Sequence, residues 1–248
     1  MKNPAETRQD ILKAIKKVPV LSSSVSQVMD IISKDDHCLA DLVNIIRFDS
    51  ALTANILKTA NSAFYGISTE VSSVDRAISL IGEDSVINIT LKKGLAKLFD
   101  KELTGYKSAS GELWRHDLRT AIASKKIAKL NKNHISSEIA FTGGLLHDIG
   151  KAVISSFLGE TSSKIIEAID KGRVKDFHEA EQRLLGMDHA MVGFELAKHW
   201  NLPEALTHII RYHHIPSEAP SDLKPIVYCV HLGDILAMMA GCGTGADT

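Results

Sequence analysis

The sequence predicts an all-α protein, and three observations carry that expectation. Apolar residues recur three and four apart along most of the 248 residues, with no sustained strict alternation that would call for strands. Aromatic residues make up 5% and there are only six prolines, a composition that suits helices better than a β-sandwich. Breaks at Val18-Pro19, Gly66 and near Gly82 divide the pattern into helix-length stretches.

The elements follow in order. "ILKAIKKV" is the first amphipathic helix, and Val18-Pro19 breaks it, since proline disfavours helix before it. "SSSVSQVMDIIS" restarts the pattern with a serine available as N-cap. "LADLVNIIRF" and "SALTANILKTANSAF" come next, with Ser50 as the expected cap and Gly66 as a stop. "VDRAISLIGEDSVINITLKKGLAKLF" reads as two helices broken near Gly82. The polar segment Asp100–Gly111, rich in Ser, Gly and Lys, is the expected boundary between an N-terminal helical lobe (1–100) and a C-terminal helical lobe (111–240). Helical stretches continue through "ELWRHDLRTAIASKKIAKL", "EIAFTGGLLHDIGKAVISSF", "SSKIIEAID", "FHEAEQRLLG", "DHAMVGFELAKHW", "PEALTHIIRYHH" and "KPIVYCVHLGDILAMMA". Pro203 is placed in the first turn of its helix. No repeat, heptad or low-complexity tract is present.

Composition narrows the function. At 44% apolar the chain can bury a sizeable core, and no apolar run reaches the roughly 18–20 residues of a membrane span. The N-terminus lacks the apolar centre of a signal peptide, so a soluble, cytoplasmic protein is expected. A formal net charge of -1 and sparse aromatics disfavour nucleic acid as a partner. Cys38, Cys229 and Cys242 form no CxxC pair and read as reduced thiols rather than a disulfide framework or a thiolate zinc site.

The histidines are the informative feature. All but one of the eleven lie beyond residue 115, several within apolar helical stretches where an unpaired polar side chain is costly. His116, His147-Asp148, His189, His213-His214 and Asp234 stand out. Imidazole with carboxylate suits iron, manganese or zinc. Glu112 and His116 share a helix face at i and i+4. His147 and Asp148 are about 100° apart around a helix, so one ion set between their directions is within reach of both. Taken singly, a histidine on an apolar face is more often a core or surface residue than a ligand, and spacing does not bring these positions together.

Taken in order, His, His-Asp, His, His-His and Asp resemble the HD superfamily of metal-dependent phosphohydrolases. The longer pattern resembles its HDOD subgroup (HD-related output domain). It runs through "VPVLSSSVSQVMDII", "DLVNIIRFDSALTANILKTANSAFYG", "VSSVDRAISLIG", "LWRHDLRTAIASKKIA", "FTGGLLHDIGKAVI" and "DHAMVGFELAKHWNLPEAL" to "HH", covering roughly residues 10 to 240. The resemblance implies one HDOD domain over 1–248, with an N-terminal helical lobe packed on an HD-type lobe. It implies bacterial signal transduction, a regulatory protein partner, and in many members a non-catalytic role.

The related HD-GYP phosphodiesterases, which hydrolyse cyclic di-GMP, use a similar ligand order. Carried onto this chain, the resemblance places ligands for one or two divalent ions at Glu112, His116, His147, Asp148, His189, His213, His214 and Asp234, with Asp148 at the position that bridges a metal pair. It places a phosphate-contacting lysine at Lys151, so Asp148 and Lys151 are the candidate catalytic residues. The competing reading of Lys151 is a solvent-facing charge at a helix end. Where those enzymes continue toward Gly-Tyr-Pro, this chain reads "HHIPSEAPSD", which argues against close kinship with them. Two readings therefore stand: a signalling module that binds metal, and a phosphohydrolase acting on a phosphate-containing small molecule such as a nucleotide or cyclic dinucleotide.

Overall fold

The computed structural model describes residues 3–34, 37–66, 70–131 and 135–246. These residues form helices and turns with no β-sheet, apart from isolated bridge positions at Leu103, Ser108 and Thr244. The helices are α1 (Pro4–Lys17), α2 (Ser23–Ile32), α3 (Leu39–Arg47), α4 (Ser50–Ala60), α5 (Val74–Ile81), α6 (Glu83–Gly94), α7 (Ala96–Phe99), α8 (Glu112–Leu130), α9 (Ser137–Leu146), α10 (Lys151–Leu158), α11 (Ser162–Asp170), α12 (Phe177–Leu185), α13 (His189–His199), α14 (Glu204–Tyr212) and α15 (Lys224–Met239). No helix among them is long and apolar enough to cross a membrane.

The chain divides into two compact units, one of residues 21–96 and one that joins 1–20 to 97–248. In the smaller unit, α2 starts at Ser22, whose side chain accepts from Val25 N–H. α2 buries Val25, Val28, Met29 and Ile32, and α3 buries Leu42, Val43 and Ile46. The cap of α4 is Asp49 rather than Ser50. Its carboxylate accepts from Ala51 N–H and Leu52 N–H, which a charged acceptor does more strongly than a hydroxyl. α5 and α6 part at Gly82, whose φ of +78° lies in the left-handed region that favours glycine.

The larger unit holds the histidine cluster. α8 packs against both α9 and α15, and α13 against α14. The first helix belongs here, because α1 lies on α10, α12 and α13. The chain after it is tied to the end of α13: Trp200 Nε1–H donates to Pro19 O at 3.0 Å, and His199 Nε2 lies 3.0 Å from Val18 O. Sequence order therefore misplaces residues 1–20, which the expected 1–100 lobe would group with the helices that follow them. The segment 100–111 is likewise no open linker. Leu103 and Tyr106 are buried, and Gly105 N–H donates to Ser155 Oγ at 3.0 Å. Pro203 is the N-cap of α14, one position before its first turn.

Candidate metal centre

Seven positions on the larger unit's helices and turns form the cluster. His116 sits in the second turn of α8, His147 caps the C-terminus of α9, and Asp148 follows in the turn before α10. His189 opens α13, His213 caps the C-terminus of α14 with His214 next, and Asp234 projects from α15. Two glycines in "FTGGLLHDIGK" allow the approach. A Cβ on Gly144 would stand 2.6 Å from Ala121 Cα, so α9 lies directly on α8. A Cβ on Gly150 would stand 1.9 Å from His189 O, so the turn after Asp148 rests on the first turn of α13.

Asp148 is the centre. Its Oδ2 lies 3.5 Å from His116 Nε2 and 3.6 Å from His147 Nε2, while its Oδ1 lies 3.3 Å from His189 Nε2 and 3.6 Å from His213 Nε2. Asp234 Oδ1 joins the first group, 3.1 Å from His116 Nε2 and 3.6 Å from His147 Nε2. His214 joins the second, its Nε2 2.7 Å from that of His189. Two groups able to hold an ion thus share Asp148: His116, Asp117, His147 and Asp148, with Asp234 Oδ1 beside both imidazoles, and Asp148, His189, His213 and His214.

The rings are held by their other nitrogens. His116 Nδ1–H donates to Cys242 O at 2.6 Å, His147 Nδ1–H to Gly144 O at 2.9 Å, and His213 Nδ1–H to Ile210 O at 2.9 Å. His189 Nδ1 pairs with Glu181 Oε2 at 2.8 Å. In the neutral tautomer each Nε2 then carries a bare lone pair. Asp148 Oδ1 and His213 Nε2 are buried without a hydrogen-bond partner among the described residues, while Asp148 Oδ2 is met by the Lys151 ammonium. A divalent cation satisfies such a set, and the donors fit iron, manganese or zinc.

Charge within the cluster is mutually adjusted. Burial pulls His147 down, but the carboxylates of Asp148, Asp234 and Asp117 outweigh it and push the imidazole up to about 9. Burial likewise opposes His189, yet Glu181 and Asp148 hold it well above the usual histidine range. Burial lowers His213 to about 4, and burial with the neighbouring rings His213 and His189 takes His214 well below its ordinary value. Asp148 and Asp234 stay ionised well below the usual carboxylate range, despite burial, because cations and imidazoles face them.

Lys151 is buried, 3% exposed, with Nζ 2.6 Å from Asp148 Oδ2. It is therefore not the solvent-facing charge its helix-end position suggests. Glu112 lies outside both donor sets. Its Oε2 accepts from Ala109 N–H at 2.9 Å and its Oε1 is 3.5 Å from Arg115, so it closes the start of α8 and lines a cavity beside His116.

Three residues of the site were not singled out in the sequence. Asp117 is fully buried with an oxygen 3.7 Å from His147 Nδ1, and burial holds its carboxyl well above the usual range. The second His-Asp doublet, in "WRHDLR", was its signal. Glu181 accepts from His189 N–H at 2.7 Å and from the hydroxyl of Tyr106. Its signal was a carboxylate on the apolar face of α12 beside Phe177, Ala180 and Leu185. Tyr106 had none.

Residues 18–216 match the HDOD domain family. The chain belongs to that family. An uncharacterised protein of Treponema pallidum is 29% identical over 220 residues, which is 89% of this chain and 42% of that protein. This HDOD chain thus spans less than half the length of that curated relative. An HDOD domain protein of Geobacter sulfurreducens has a crystal structure with a TM-score of 0.73 at 28% identity, covering 97% of this chain and 81% of that one. A protein of Shewanella amazonensis, provisionally assigned as a metal-dependent phosphohydrolase, shares the fold at a TM-score of 0.57 and 18% identity, over 96% and 85% of the two chains.

Proposed function

We propose that this HDOD domain is a bacterial, cytoplasmic signal-transduction module that binds one or two divalent ions at its His/Asp cluster and acts on a regulatory protein partner. The observation that carries the metal part is the division of Asp148, one oxygen toward each donor set. His116, His147 and Asp234 hold one subsite with Asp148, and His189, His213 and His214 hold the other. Support for a regulatory role comes from burial. His116, His147, Asp148, His189, His213 and Asp234 are all buried, and the chain after His214 lacks the Gly-Tyr-Pro continuation of the cyclic di-GMP hydrolases.

Lys151 favours a second reading, a phosphohydrolase for phosphate esters. A buried ammonium beside Asp148 is suited to meet negative charge developing on a phosphoryl group. A pair of divalent ions would supply a lowered water pKa and electrostatic stabilisation of the phosphoryl oxygens. In that reading Asp148 holds the subsites in register and Lys151 orients the ester.

One experiment serves both. Wild type and Asp148→Ala are loaded in turn with iron, manganese and zinc, and metal is counted by plasma mass spectrometry. Both are then offered cyclic dinucleotides, nucleotides and generic phosphate esters. Bound metal in wild type only is the expected result, and wild type without metal in all three loadings sinks the proposal. Turnover present in wild type and absent in Asp148→Ala moves the assignment to the phosphohydrolase.

A further inference from the structure

Beside the cluster, the larger unit carries a cavity of about 270 Å³ lined by Glu112, Arg115, His116, Arg119, Gly241, Cys242, Gly243 and Gly245. Its charge is unbalanced. Glu112 is engaged by Arg115 and by Ala109 N–H, while Arg119, one turn further along α8, has no ion-pair partner among the described residues. Two guanidinium groups thus face one carboxylate, and the N-terminal end of a 19-residue helix adds partial positive charge.

The far wall is built, not incidental. Thr244 is fully buried, and Ala246 N–H donates to Tyr106 O at 2.8 Å. Gly245 has a φ of +62°, and a Cβ there would stand 2.3 Å from Tyr106 O. Glycine at 241, 243 and 245 leaves main chain, rather than side chains, facing the space. His116 joins cavity and cluster: its Nε2 is in the first donor set, and its Nδ1–H is held by Cys242 O of the cavity wall.

We infer that this cavity, which shares His116 with the cluster, binds a small phosphate-bearing molecule through Arg119 and Arg115. A planar guanidinium presents paired donors matched to phosphate oxygens, and the cavity volume suits a small phosphorylated metabolite. Because Cys242 orients His116, the occupant of the cavity bears on the first metal subsite through one hydrogen bond. This gives the domain an input chemistry, and it stands apart from whether the cluster turns anything over.

The test is a calorimetric titration of the full chain with glycerol 3-phosphate and with glycerol, its neutral counterpart. Wild type is expected to bind the phosphate and not the alcohol. Arg119→Ala should weaken phosphate binding at least about tenfold, the size of one charge-assisted hydrogen bond. Arg119→Lys should recover part of the loss. Metal content, counted in parallel, should not change in either variant, since Arg119 is exposed and supplies no donor to the cluster. The same series after EDTA treatment separates this cavity from direct binding of phosphate to metal. Equal affinity in wild type and Arg119→Ala overturns the inference, as does phosphate binding that disappears from wild type on metal removal. Absence of metal in wild type would defeat the metal proposal and leave this titration to be read on its own.

Discussion

The Nε2 atoms of His116 and His147 face each other at 3.3 Å, and each ring has its Nδ1–H committed to a backbone carbonyl. Two neutral imidazoles in that state present lone pair to lone pair, beside the ionised oxygens of Asp148 and Asp234. A proton relieves the contact in part, and a divalent ion does so fully. His116→Ala removes one donor from the first set only. It is expected to lower bound metal by up to one ion per chain and leave the second subsite occupied. Asp148→Ala serves both sets and should abolish or greatly reduce all binding. Metal counting on the two purified variants checks the difference.

Metal uptake should release protons. In the metal-free protein His147 has an imidazole pKa of about 9, so it holds its proton at pH 7.5. A ligating imidazole must be neutral at the bound nitrogen, so that proton leaves. Apparent metal affinity is expected to rise with pH up to about 9 and level off beyond. Titration of metal into weakly buffered protein at pH 7.5, read by a pH indicator, should show acidification, and no acidification would count against His147 as a ligand.

The stability of the metal-free protein should have two limbs. His147 is raised, so the folded state holds a proton that the unfolded chain has lost. Its contribution is full below about pH 6.5 and fades as pH rises toward 9. His213 is lowered to about 4, so the folded state refuses a proton that the unfolded chain takes. Its contribution is full above about pH 6.5 and fades as pH falls toward 4. Thermal unfolding of EDTA-treated protein should therefore weaken on both sides. Added metal should recover the alkaline side most, because it takes the place of the proton on His147.

Glu181 holds His189 by accepting from both its ring and its backbone N–H, and it is itself held by Tyr106. A carboxylate behind a ligating imidazole fixes the ring and raises its basicity. Glu181→Gln is expected to lower affinity at the second subsite by about 10–100-fold. Tyr106→Phe, which removes a bond one step further out, should cost less. Metal affinity measured by competition with a chelating dye checks the order.

Much of the cluster was legible because chemistry-bearing residues sit in apolar stretches, where a charge or imidazole needs a reason. His147, Asp148, His189, His213, His214 and Asp234 all stand in such places. Glu112 shares the face of His116 by its i,i+4 spacing, yet its carboxylate accepts from Ala109 N–H and faces Arg115 rather than the cluster. Tyr106 was hidden in a polar, Ser- and Gly-rich segment whose burial depends on contacts with Ser155 and Phe177, about 50 and 70 residues away in sequence. Residues 1–20 were misplaced for a similar reason. Local pattern finds a helix, and only long-range packing decides which core it joins.

Gly150 tests whether the cluster is set by backbone approach. A methyl group there meets His189 O at 1.9 Å and Gly193 N at 2.6 Å. Both are backbone atoms of α13, so no side-chain rotation relieves the clash. The turn carrying Asp148 must then separate from the helix carrying His189, whose Nε2 is 3.3 Å from Asp148 Oδ1. Gly150→Ala is expected to destabilise the protein by about 1–3 kcal/mol or more, the range for overpacking. It should also weaken the second subsite more than the first, whose His116 and His147 are brought together by the α8–α9 contact at Gly144. Ser156→Ala, at an exposed position of α10, should stay within about 0.5 kcal/mol of wild type. Thermal unfolding with metal counting on these variants distinguishes the cases. Full occupancy of both subsites in Gly150→Ala would mean that the cluster tolerates the displacement, and that side-chain donors rather than backbone approach set its geometry.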